Sequence, residues 1–167
     1  MKNQENAFTL PELLIVIVLL SVLTSTALPS FAQFIEHNQQ QAVFYQLRSA
    51  IHEARTRAVQ ERRRIELCAS SDGKTCQGQW SEGWIIRGTA SRELLSVNSQ
   101  KPGSNPVRWS GFSTTIKFLP NGTSPLSNGR FYQCRKGKPA WQIIISRQGR
   151  ARVATAADNG AESARCQ

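Results

Sequence analysis

The chain has 167 residues, 4 cysteines and a formal net charge of +10, enough for one domain plus an appendage. Four cysteines are too few for a disulfide-dense miniprotein, and they fit two bridges made in an oxidising compartment. From Leu94 to Ala157 there is no Asp or Glu, yet Lys101, Arg108, Lys117, Arg130, Arg135, Lys136, Lys138, Arg147, Arg150 and Arg152 all fall there. Such asymmetry fits a polyanionic partner, either nucleic acid or an anionic membrane face, and also a merely solvated surface.

Phe8 to Leu28 is mostly apolar and spans about 31 Å as a helix, the thickness of a hydrocarbon core. A secretory signal peptide would begin with net positive charge. Here Lys2 and Glu5 cancel, and a cut within "LTSTALPSFA" would discard Glu12 without explaining it. A carboxylate inside a membrane helix costs roughly 2.5–3.5 kcal/mol on insertion scales, so Glu12 calls for a cationic partner. An α-amino group uncovered by a cut just before Phe8 would supply one.

The Ala7–Phe8 junction followed by "FTLPELL" resembles the leader and processing site of type IV pilins and type II secretion pseudopilins. The resemblance implies that prepilin peptidase removes residues 1–7, that the new N-terminus at Phe8 is methylated, and that Glu12 pairs with a neighbouring subunit's N-terminus during assembly. Ala7 stands where the family most often has Gly, which implies slower processing. Pro29 falls where pilins commonly carry a helix-kinking proline.

Beyond Pro29, the residues Phe31, Phe34, Ile35, Val43, Leu47, Ala50, Ile51, Ala54 and Ala58 recur at three, four and seven. That spacing predicts an amphipathic helix with one buried face. Arg48, Arg55 and Arg62 repeat every seventh position along its flank. His37 and His52 lack metal-ligand spacing and read as polar-face residues. One long helix, about Pro11 to Arg62, is expected, with a membrane half at 8–28 and an amphipathic half at 29–63.

Residues 64–167 read as short strands between turns: "RIELCAS", "GWIIRG", "ELLSV", "PVRW", "TTIKFL", "RFYQC", "WQIIISR" and "RARVAT". The expected fold is α+β and pilin-like, the long N-terminal helix packing on a C-terminal antiparallel β-sheet domain. Cys68 and Cys76 flank a turn-rich loop, and Cys134 with Cys166 would tie the last residues to a strand. Metal ligation by these cysteines is the competing use, but no C-x-x-C occurs and no His lies near them. "CASSDGKTCQGQWSEGWII" also resembles the FimT/GspH branch of pilin-like proteins, which often has a short Cys loop before W-x-x-G-W.

Catalysis finds little support. The globular part has no His for a Ser-His-Asp arrangement, no phosphate-binding fingerprint, and no carboxylate pair in the acid-free stretch. No enzyme activity, cofactor or metal is expected. Asn121-Gly122-Thr123 matches a glycosylation sequon. "ISRQGRARVAT" is more informative: on a strand, Arg150 and Arg152 would share a face about 6.7 Å apart, within reach of neighbouring phosphates. Gly149 supplies a turn and allows close backbone approach. Arg147, Arg135, Lys136 and Lys138 would extend the footprint. Gly149-Arg150-Ala151-Arg152 resembles the G-R-x-R element of the FimT proteins of natural transformation, which implies binding of double-stranded DNA without sequence preference. A solvated sheet edge with two arginines is the plainer alternative. A two-residue Gln148-Gly149 loop would set Arg152 across from Ile145; a longer or bulged turn, or Ile143 and Ile145 packing under the helix, would alter that. Trp109, Phe131, Tyr132 and Trp141 would either stack on single-stranded bases or pack in the core.

The resemblance as a whole implies a minor pilin of a Gram-negative bacterium. It would be held in the inner membrane with its domain in the periplasm, then built with other major and minor pilins into an extracellular pilus. A structural minor pilin that primes assembly and a type II secretion pseudopilin remain the alternatives.

Overall fold

The computed structural model describes residues 10–100 and 105–167. Ala7 and Phe8 lie outside the described residues. Helix α1, Leu10–Gln60, continues through Pro29. The chain divides into two compact units, one ending at Gln41 and the other running Ala42–Gln167.

In the first unit the apolar side chains from Leu10 to Leu28 are exposed. This is the one helix among the described residues long and apolar enough to cross a membrane. Its hydroxyls bond inward: Ser21 Oγ donates to the Val18 carbonyl, Thr24 Oγ1 to Leu20 and Ser25 Oγ to Val22. Polar atoms satisfied within the helix lower the cost of an apolar setting. Glu12 is exposed in the first described turn. Phe31, Phe34 and Ile35, expected on the buried face, are exposed as well. The buried stripe starts later because only the last part of α1 belongs to the globular unit.

That part buries Leu47, Ala50, Ile51, Ala54 and Ala58 in one cluster with the inner faces of two antiparallel sheets. The first sheet contains β1 (Ile65–Ala69), β2 (Gly83–Gly88), β3 (Leu94–Ser99) and β5 (Ile116–Phe118), in the order β3-β2-β1-β5. The second contains β4 (Val107–Gly111), β6 (Gly129–Arg135), β7 (Lys138–Ile145) and β8 (Ala151–Val153), in sequence order. Alternation along each strand sends Ile65, Leu67, Trp84, Ile86, Ile116 and Phe118 inward from the first sheet, and Phe131, Trp141, Ile143 and Ile145 from the second. Trp80 meets the Phe131 ring edge-on at 4.6 Å, and Trp109 lies 4.4 Å from it. Phe131, Tyr132 and Trp141 are buried and Trp109 is half-buried, so these aromatics belong to the core rather than to a base-stacking surface.

The outer face of the first sheet holds a buried carboxylate. Glu66 accepts from Arg87 Nε at 3.0 Å and Nη2 at 2.9 Å, with Lys117 Nζ 3.7 Å away. Beside it the Cys68–Cys76 disulfide closes the turn-rich loop, and Cys134–Cys166 ties the C-terminus to β6. The cysteines are therefore bonded to each other rather than available to a metal. Two short helical segments absent from the sequence reading end the chain: α2 (Ala156–Ala161) and a 3-10 turn, Ser163–Cys166. They pack against β7 on the outer face of the second sheet.

Candidate nucleic-acid interface

The β7–β8 connection carries the candidate residues. Ile145 pairs with Ala151 and Ile144 with Arg152, so the turn is longer than Gln148-Gly149. The Ser146 amide donates to the Arg150 carbonyl at 3.0 Å and the Gly149 amide to the Ser146 carbonyl at 2.8 Å. Gly149 has φ of 72°. A three-residue loop ending in a left-handed glycine is a favoured hairpin closure. It moves the register by one residue and puts Arg152 opposite Ile144, on the outer face, while Ile143 and Ile145 point into the core.

Gly149 is buried, and its close neighbour is protein: a Cβ there would overlap the Gly122 carbonyl oxygen. The absence of a Cβ is what lets the turn close on this loop. The facing loop is itself fixed. Asn121 Oδ1 accepts from the Thr123 amide at 3.1 Å and from its hydroxyl at 2.8 Å, while Arg55 Nε donates to the Gly122 carbonyl at 3.0 Å. The Ser124 amide donates to the Arg147 carbonyl at 2.9 Å. Helix, loop and hairpin thus hold the turn from two sides.

Of the two arginines expected on one strand, Arg152 alone lies within it. Arg150 precedes β8 and is exposed at the turn; Arg152 lies within β8 and gives Nη1 to Asp158 Oδ2 at 2.9 Å. Asp158 also caps α2, accepting from the Thr155 amide while Thr155 Oγ1 accepts from its own. The Arg152 guanidinium first, and the Thr155 amide second, hold the Asp158 carboxyl down to about 2. Arg130, on the same outer face, pairs with Glu162 at 2.7 Å and donates to Gln142.

Arg147 and Arg150 have no ion pair among the described residues, and neither have Arg135, Lys136 and Lys138. The two groups lie at opposite ends of β7, about 24 Å apart at roughly 3.4 Å per strand residue. Lys136 and Gly137, with φ of 50° and 73°, form the two-residue turn that displays the second group. The basic residues therefore make two clusters rather than one patch. The sequence reading missed Asp158; Thr155 and Asp158, three apart, carry the capping-box spacing that could have found it.

The sequence profile described as "Type II transport protein GspH" matches residues 45–149, and that of the "Prokaryotic N-terminal methylation motif" matches residues 2–28. Two crystal structures of the type IV minor pilin FimU of Pseudomonas aeruginosa share the fold. One has a TM-score of 0.59 and 24% identity over 78% of this chain and 98% of that chain. The other has 0.57 and 23%, over 74% and 98%. No curated protein sequence matches.

Proposed function

From the premise that the chain belongs to the GspH family and carries the N-terminal methylation motif, we propose that it is a minor type IV pilin that binds double-stranded DNA for uptake in natural transformation. In this reading prepilin peptidase cuts between Ala7 and Phe8, Phe8 is methylated, and Glu12 meets a neighbouring pilin's N-terminus. The apolar part of α1 holds the subunit in the inner membrane, its domain periplasmic, until assembly carries it into the pilus. The observation that carries DNA binding is the rigidly held Ser146–Arg150 turn, which presents Arg147 and Arg150 with no competing carboxylate among the described residues. Contacts of this kind gain affinity by releasing counterions and carry no base information.

The test is a salt series of DNA affinities for the full chain in nonionic detergent. Replacing Arg147 and Arg150 together by Gln should lower the log–log salt slope by about 1.8 when each meets one phosphate. An unchanged slope removes them from the mechanism. The family description favours a second reading, a type II secretion pseudopilin. A deletion strain that loses secretion but keeps transformation would establish that reading instead.

A further inference from the structure

Arg150 also borders a groove of about 480 Å³, whose opposite wall is α1 with Tyr45, Arg48, His52 and Arg55. We propose that this groove seats the DNA backbone, with Arg150 on the turn and Arg48 and His52 on the helix closing on the same stretch of phosphates. The inference rests on the DNA-binding reading and assigns it a second wall.

The helical residues lie three, four and three apart, which places them on one stripe. Arg48 to Arg55 is about 10 Å at 1.5 Å per residue, or about three nucleotide rises of 3.4 Å along one strand. Three arginines line the groove and no carboxylate does. Among the described residues Arg48 and Arg150 have no ion pair, so a phosphate there displaces no existing partner. The contrast with Arg57 is direct, since that residue is held by Glu53 at 2.9 Å and Glu61 at 3.5 Å. Arg55 has another task. Its bond to the Gly122 carbonyl fixes the loop against which Gly149 packs, which makes it a positioning residue. The walls are thus set before a ligand arrives, and preorganised donors lose less on binding.

The experiment compares full chains in nonionic detergent binding a short mixed-sequence duplex across a salt series. Arg48→Gln with His52→Gln should weaken binding about tenfold at low salt and lower the slope by about 0.9 for one phosphate lost. Arg48→Lys should keep the slope, because the charge remains. Arg48 and His52 are exposed, and an unshifted thermal midpoint shows that the fold is intact. If the Arg48/His52 variant keeps the parental slope while the Arg147/Arg150 variant loses it, the groove is overturned and DNA binding at the turn stands. If both keep it, both readings fail. Lost piliation with an unchanged slope would give the groove to a neighbouring subunit and overturn the proposal.

Discussion

Replacing Gly149 by Ala should damage the fold before it touches the charge of the site. At φ of 72° an L-residue with a Cβ costs about 1–2 kcal/mol. The added methyl would also overlap the Gly122 carbonyl oxygen and sit 3.2 Å from its carbon and 3.4 Å from the Phe118 ring. The Asn121-Gly122 loop must then retreat, which breaks the Arg55–Gly122 bond, a charge-assisted contact of about 1.5–3 kcal/mol. Together the loss is about 3–4 kcal/mol, a fall of about 10–15 °C for a unit of this size. The assay is thermal unfolding, followed by circular dichroism, of the fragment from Ala42 onward, which contains the whole apolar core and both disulfides. Asn tolerates the left-handed region but also has a Cβ, so Gly149→Asn should recover about 1 kcal/mol and no more. Below both midpoints the DNA salt slope of the Ala variant should match the parent's, since no arginine has been removed. A midpoint within about 3 °C of the parent's would refute the argument that this turn is locked on the Gly122 loop.

Asp158→Asn should raise DNA affinity about two- to fivefold at low salt, because a carboxylate that occupies Arg152 is lost; weaker binding would show that Asp158 does not compete with phosphate. The same carboxylate sets an acid limit. Its folded value lies below the ordinary 3.8, so its contribution is complete above about pH 4 and is lost as pH falls through about 2. Protection of the α2 amides, taken relative to the unstructured exchange rate at each pH, should therefore hold at pH 5 and fall only below about pH 4, whereas a loss of protection at pH 5–6 would contradict the pairing. Replacing Cys134 and Cys166 together by Ser opens a loop of separation 32, and the chain-entropy estimate is a loss of about 3.7 kcal/mol. Calorimetry of the Ala42 fragment checks it, and a loss below about 1 kcal/mol would mean that the C-terminal segment is held by packing alone.

All eight strands were legible because period-two alternation between Gly-, Pro- and Asn-rich breaks is a local signal; "GWIIRG" coincides with β2 and "ELLSV" misses β3 by two residues at its end. The partition into two sheets was not legible. β5 pairs with β1 while β4, just before it, pairs with β6, and nothing in either short strand encodes a partner so distant in sequence. The length of the turn was not legible for a related reason: Gln-Gly is compatible with a two-residue or a longer hairpin, and it is the burial of Ile143 and Ile145 that fixes the register and leaves a three-residue loop to fit it. Helix α2 carried its capping-box spacing but has only six residues, with an Asn-Gly inside and no apolar stripe. On α1 the sevenfold repeat of Arg48 and Arg55 was visible as a flank, yet the hairpin facing that flank comes from residues about a hundred positions later.

Charge shows the same gap between sequence and fold, and it bears on where DNA can bind. The stretch from Leu94 to Ala157 lacks acids, but folding brings acids to it from both sides. Glu66 on β1 lies near Lys117, Glu162 pairs with Arg130, and Asp158 pairs with Arg152. A basic run in sequence therefore overstates the basic surface. What remains without a carboxylate among the described residues is Arg108, the Arg135–Lys138 turn, and Arg147 with Arg150. Of these, Arg150 shares a groove with further arginines contributed by another element. Counterion release scales with phosphates met at once, so the α1–hairpin groove should dominate the salt slope, and the Arg135–Lys138 turn, about 24 Å away along β7, should contribute only on duplexes long enough to reach both.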